Sequence, residues 1–208
     1  MQPKVFCIGF QKTGTSSLGA ALRMLGYRVH KGFRFNLPGK VQISEPVTRG
    51  AIAQVALPMA EGYSAFEDNP WCLLYRELDA AYPGSKFILT RRRASAWAES
   101  LVRHFQGHDD PMFRFIYGCE DALANPRRHF VQIYQRHNQD VLVHFRDRPD
   151  DLLVFDLESA SWPELCAFLG RRQPMFRSFP HKNKAAVRER KAARKPLKQI
   201  GQMQPRQP

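Results

Sequence analysis

Apolar and polar positions alternate between two regimes along this chain. Short apolar runs bounded by glycine or charged residues read as buried strands: KVFCIG at 4–9, KFILT at 86–90 and LLVFDL at 152–157. Weaker runs at 27–30 and 63–67 add two more. Between them the apolar positions recur every three or four residues. Leu18, Ala21, Leu22 and Leu25 predict a helix over 16–25, and Gly26 supplies a left-handed residue to end it. Ala94, Trp97, Leu101 and Phe105 predict another helix directly after KFILT. Further helices are expected over 52–61, over 70–82 with Pro70 in its first turn, and over 113–117, 127–145 and 162–169. No internal repeat is present. Single strands alternating with helices predict an α/β fold of three layers, a central parallel sheet of about five strands flanked by helices.

A chain of 208 residues with 43% hydrophobic content suffices for one such domain with a real core. Charge divides it. Residues 181–208 hold nine Lys or Arg and a single Glu, which is +8 of the net +13. We therefore expect a domain over 1–180 and a basic, partly disordered tail over 181–208. Cys7, Cys72, Cys119 and Cys166 are far apart with no CxxC spacing, so reduced, buried thiols in a cytoplasmic protein are expected rather than disulfides or zinc. The first apolar run is too short for a secretory signal, and no run reaches the length of a membrane span.

The chemistry concentrates in GFQKTGTSSL, Gly9–Leu18. It joins a strand to a helix N-terminus, where unpaired N–H groups and the helix dipole favour an anion. The spacing of Gly9 and Gly14 matches a nucleotide-phosphate loop, but Thr15 occupies the place of the usual lysine, and Lys12 precedes the second glycine instead. Thr13, Thr15, Ser16 and Ser17 add hydroxyls.

In this arrangement KTGTSS resembles the 5′-phosphosulfate loop of the sulfotransferases, which use 3′-phosphoadenosine 5′-phosphosulfate (PAPS) on a P-loop-like fold related to the nucleotide kinases. The resemblance implies that Lys12, Thr13, Gly14, Thr15, Ser16 and Ser17 hold the 5′-phosphosulfate. It further implies that Lys12 offsets charge on the leaving oxygen, with no metal required. A second match follows KFILT. Arg92 and Ser100, eight residues apart in RRRASAWAES, are similar to the family's 3′-phosphate pair. The family commonly reads R-D-P where this chain has Arg92-Arg93-Ala94, so Arg91 and Arg93 are alternatives to Arg92. In FEDNPW, Asp68 stands where the cytosolic branch places a catalytic His, with Glu67 beside it. Asp68 is thus the expected general base, its other reading being a local turn cap. His30 and Lys31 are weaker candidates. LLVFDL, SWPELCAFLG and FPHKN resemble the C-terminal part of a subgroup with a compact domain. The family's basic C-terminal loop has no clear counterpart here, though Lys182, Lys184 or Arg188 could replace it.

The implied reaction moves a sulfuryl group from PAPS to a hydroxyl, or an amine, of a small-molecule, carbohydrate or lipid acceptor, leaving the bisphosphate PAP. The aromatic helices between Phe105 and Phe145 would form part of the acceptor pocket or lid, with no nucleic-acid partner and no stable membrane insertion. Two other classes stay open. A kinase using Mg-ATP would treat Asp156 at the end of LLVFDL as its metal-binding carboxylate. A nucleic-acid-binding protein would use the basic tail, although that tail has no aromatic after Phe179.

Overall fold

The computed structural model describes residues 3–105, 111–118, 126–156 and 158–181. The basic tail, Cys119 and the alternatives Lys182, Lys184 and Arg188 lie outside these residues.

Five strands form one parallel sheet: β1 Val5–Cys7, β2 Val29–Lys31, β3 Ala65–Glu67, β4 Lys86–Arg91 and β5 Leu152–Asp156, in the order β2-β3-β1-β4-β5. The helices are α1 Thr15–Met24, α2 Arg49–Met59, α3 Tyr75–Ala81, α4 Ala94–Phe105, α5 Pro111–Tyr117, α6 Pro126–Phe145 and α7 Trp162–Leu169. The α/β three-layer expectation holds.

Strand alternation sorts the core into two faces. Phe6 and Ile8 point to one side, where they pack with α2, α3 and the C-terminal half of α6. Val5 and Cys7 point to the other, against Leu18, Ala21 and Leu22 of α1 and Leu165 of α7. Register sets Phe66, Phe6 and Phe87 side by side across β3, β1 and β4, with ring centroids 4.8 and 5.4 Å apart. Phe145 of α6 closes on Phe87 at 4.7 Å. A third cluster caps the C-terminal edge of the sheet, where Phe10 meets Trp97, Leu101, Phe113, Tyr117, Phe130 and Tyr134.

Two elements differ from the sequence expectation. The helix expected over 70–82 is split into a 3₁₀ turn at Trp71–Leu73 and α3 from Tyr75. The tighter pitch sends Trp71 into the β1 core and Cys72 into the edge cluster. α2 starts earlier than expected, at Arg49, because the Thr48 hydroxyl caps it by accepting from Ala51 N at 3.1 Å.

The strand order places a switch point at β1: the chain leaves it toward β3 and β2 on one side and returns to β4 and β5 on the other. Loops after β1 and β4 therefore open at one crevice, the usual ligand position in such sheets. That crevice requires the chain to pass very close at Gly9. A Cβ there would collide with Thr90 Oγ1 and Thr90 O, and would lie 2.8 Å from Thr90 N. Gly9→Ala should cost ~1–3 kcal/mol of unfolding free energy, the usual scale of overpacking. Urea denaturation measures it, and an unchanged midpoint would refute the contact.

Candidate active site

Thr13 is completely buried beneath the glycine loop. Its Oγ1 donates to Phe10 O at 2.5 Å and lies 2.6 Å from Thr90 Oγ1. A hydroxyl has one proton, so Thr13 must accept from Thr90. Thr90 must then accept from the Cys7 thiol, 3.7 Å away. Burial agrees with this order, since it pushes the Cys7 thiol up to about 12 and keeps it protonated. Above this chain of bonds the loop turns through two left-handed residues, Lys12 at φ 70 and Gly14 at φ 99. The first is costly for a side-chain-bearing residue and marks a constrained position.

No side chain caps the N-terminus of α1. Thr15 and Ser17 are buried, whereas Lys12 and Ser16 are half-buried. An uncapped helix start with a glycine cradle and a neighbouring lysine fits a phosphate group. Arg92, just beyond β4, donates from Nη1 to Lys12 O at 3.4 Å. Arg91 ends the strand and Arg93 is exposed. Ser100 is half-buried on α4. The loop and Arg92 are thus brought together on adjacent strands.

Asp68 follows β3 at φ 74, and its Oδ1 accepts from Asn69 N at 2.9 Å. The turn is pinned from β2, since Gly32 N donates to Glu67 O at 2.7 Å and Phe33 N to Asn69 O at 2.9 Å. Burial raises the Asp68 carboxyl above its ordinary range, against the opposing pull of Asn69 N–H, Lys31 and Lys12. Asp68 and Lys12 are therefore within electrostatic reach. Asp68 lines a cleft of ≈ 730 Å³ with Gln11, Lys31, Arg34 and, from α5, Met112 and Phe113. From α6, Phe130 and Tyr134 are buried in the edge cluster instead.

Glu67 faces elsewhere. It is 2% exposed, wedged against α1 where a Cβ on Gly19 would strike its carboxylate, and 3.6 Å from Arg23. Its Oε2 has no hydrogen-bond partner. Burial and then the neighbouring Asp68 charge push it up to about 7. His30 packs edge-on to Tyr63 and Trp71 at 4.7 and 5.3 Å, away from the cleft, while Lys31 lines it.

Supports for the loop arrive from residues that sequence reasoning missed. Tyr134 of α6 both accepts from Arg92 N and donates to Arg92 O, each at 3.0 Å. Trp97 Nε1 donates to Gln11 O at 2.9 Å. His137 stacks on Phe10 at 4.0 Å and binds Ile8 O through Nε2 at 2.8 Å. Burial lowers its pKa to about 4, so the ring is neutral and Nε2–H is the donor. No local pattern marks these residues, because each acts across 40 or more positions.

Asp156, the carboxylate a kinase would need, accepts from Glu158 N at 3.0 Å and caps a turn. It ends β5, which β4 separates from β1. Among the described residues no group of three or more His, Cys, Asp or Glu could hold a metal ion, and no helix is long and apolar enough to cross a membrane. Cys7, Cys72 and Cys166 are free and buried.

The sequence matches the family described as Sulfotransferase domain, over residues 4–124 and 110–187. The chain belongs to the sulfotransferase family. A curated relative, Ava biosynthesis cluster protein M of Aspergillus versicolor, is 26% identical over 212 residues, covering 86% of this chain and 80% of its own length.

Glu67 yields a prediction about stability. Its folded pKa of about 7 lies above the ordinary 4.5, so the native state holds this proton more tightly than the unfolded chain. That stabilisation is complete below about pH 4.5 and is lost as pH rises through about 7, a fall of roughly 3 kcal/mol. Glu67→Gln should remove most of it, so the variant gains on the wild type between pH 5 and 8. Chemical denaturation at several pH values checks this, and parallel curves would refute it.

Proposed function

We propose that the protein transfers a sulfuryl group from PAPS to an acceptor hydroxyl, or less favourably an amine. The observation that carries this reading is the uncapped start of α1 behind Gly14, with Lys12 held in the loop and Arg92 reaching Lys12 O at 3.4 Å from the neighbouring strand. The family membership supports sulfuryl transfer. The acceptor is a small molecule, carbohydrate or lipid, and the relative's name refers to a biosynthesis cluster.

In this reading the N–H groups at the start of α1, with Gly14, Thr15, Ser16 and Ser17, hold the 5′-phosphosulfate. Thr13 contributes by shaping the loop, since its hydroxyl is committed to Phe10. Arg92 and Ser100 hold the 3′-phosphate, with Tyr134 fixing the Arg92 backbone. PAPS supplies an activated sulfur whose leaving group is a phosphate oxygen. Asp68 takes the proton as the acceptor oxygen bonds to sulfur, and its raised pKa makes it a better base than an exposed carboxylate. In this role Lys12 offsets the negative charge that grows as the bond from sulfur to the phosphate oxygen breaks, giving PAP. No step requires a metal.

Calorimetric titration with 3′,5′-adenosine bisphosphate, beside Mg-ATP, is the direct test. Micromolar binding of the bisphosphate without metal is expected, and tight Mg-ATP binding with no response to the bisphosphate would overturn the reading. Lys12→Ala should lower kcat by ~10²–10³. Arg92→Ala should weaken bisphosphate binding by ~10–100-fold, the scale of a charge-assisted hydrogen bond. With Asp68 as base, kcat/KM should rise with pH through a carboxylate titration displaced above the ordinary range, because only the ionised form accepts the proton. Asp68→Asn should abolish that limb and cost ~10²–10⁴ in rate. A pH profile unchanged in the variant would remove Asp68 from the role.

A further inference from the structure

Behind the glycine loop lies a second cavity, of ≈ 320 Å³, which the proposed reaction does not use. Helix α5 is the wall between the two spaces. Met112 and Phe113 face the Asp68 cleft, whereas Phe115 and Ile116 face this cavity. Phe10, Leu73 and Ile133 complete an apolar lining. Around it stand three guanidinium groups, Arg49, Arg76 and Arg136, against one carboxylate, Asp140.

Two residues of this lining carry a buried side-chain polar atom with no hydrogen-bond partner, the hydroxyl of Tyr75 and Nε of Arg49. Tyr75 lines the cavity and is 2% exposed. A buried polar atom left unpaired costs ~1–3 kcal/mol, which a ligand oxygen would recover. Arg49 is otherwise engaged, with Nη2 donating to Leu73 O at 2.5 Å and to Glu77 Oε2 at 3.4 Å. The Arg76 guanidinium lies 4.7 Å from the centre of the Tyr75 ring. Burial raises the Tyr75 pKa, so its hydroxyl stays protonated and acts as a donor. Both unsatisfied groups can donate, and the surplus charge is positive. The volume is near the lower end of known ligand pockets (~300–1,000 Å³), enough for one ring or a short chain.

We infer that this cavity binds a small amphipathic anion: an aryl or short alkyl group bearing a carboxylate or sulfate. Its apolar body lies against Phe10, Phe115 and Ile116, and its charged head meets Arg136, Arg49 and the Tyr75 hydroxyl. Phe10 and His137, both in the wall, also hold the glycine loop. Occupancy is thus linked to the loop, and any such coupling acts equally in both directions.

Titration of the isotopically labelled full chain with phenyl sulfate, benzoate and benzyl alcohol, followed by two-dimensional NMR, tests the site. No sulfuryl donor is present and no turnover is read, so the result is independent of the proposed reaction. Saturable shifts at 115–116 and 133–137 are expected with at least one of the anions, with benzyl alcohol binding at least tenfold more weakly. Arg136 is exposed, so Arg136→Glu should leave the fold intact. It should weaken anion binding tenfold or more without changing the response to the alcohol. Tyr75→Phe should weaken the anions several-fold. Equal affinity for alcohol and anions would overturn the proposal. So would shifts confined to residues 12–17 and 92, which would assign the anions to the glycine loop.

Discussion

The functional end of this protein depends on how closely the end of β1 passes β4. At Gly9 the two chains approach until no side chain fits between them. That contact brings Thr90 within hydrogen-bond reach of Thr13, so a buried chain from Cys7 through Thr90 and Thr13 to Phe10 O spans both strands and the loop. A fully used set of buried donors rigidifies what it connects. Here it holds Lys12 and Gly14 in left-handed conformations that a free loop would leave. The same proximity lets Arg92 reach Lys12 O. The two anion-holding regions of the proposed site are thus fixed relative to each other by one backbone contact.

A loop held only from below would still swing outward, and the helical layer prevents this. α4 holds Gln11 O through Trp97, and α6 holds Ile8 O through His137 and Arg92 through Tyr134. Each donor is an aromatic side chain whose ring is packed and whose polar edge is spent on loop backbone. This explains the density of aromatics at the C-terminal edge. They supply apolar area and one or two fixed hydrogen bonds each, at small cost in side-chain entropy. For His137 the donor is Nε2–H, and burial outweighs the pull of this bond toward the charged ring and keeps it neutral over the physiological range.

Much of this was legible in the sequence, because it is written in local pattern. All five strands and the glycine loop follow from apolar runs and from residues within ten positions of one another. The mismatches have physical causes of longer range. The split before α3 comes from two neighbouring residues, Trp71 and Cys72, that belong to different core clusters. Thr13 reads as one more phosphate-binding hydroxyl until Thr90, 77 positions away, turns it inward. Tyr134 and His137 read as ordinary core aromatics on a helix. Only the packing of α6 over the sheet edge gives their polar atoms a partner.

Glu67 and Asp68 show the same limit most sharply. They are adjacent, chemically alike and at the end of one strand, so composition cannot assign them different work. The backbone does. Glu67 keeps the strand alternation and is carried under α1, beside Arg23 and out of reach of the cleft. Asp68 departs to φ 74 and opens into the cleft instead. Both carboxyls are raised mainly by burial, yet only one has Lys12 among the charges that restrain it. The two carboxylates also raise each other's cost, since the Asp68 charge is the second largest cause of the Glu67 shift. A protonated Glu67 therefore lets Asp68 ionise more cheaply. The residue hidden behind the helix thereby helps set the basicity of the one that lines the cleft.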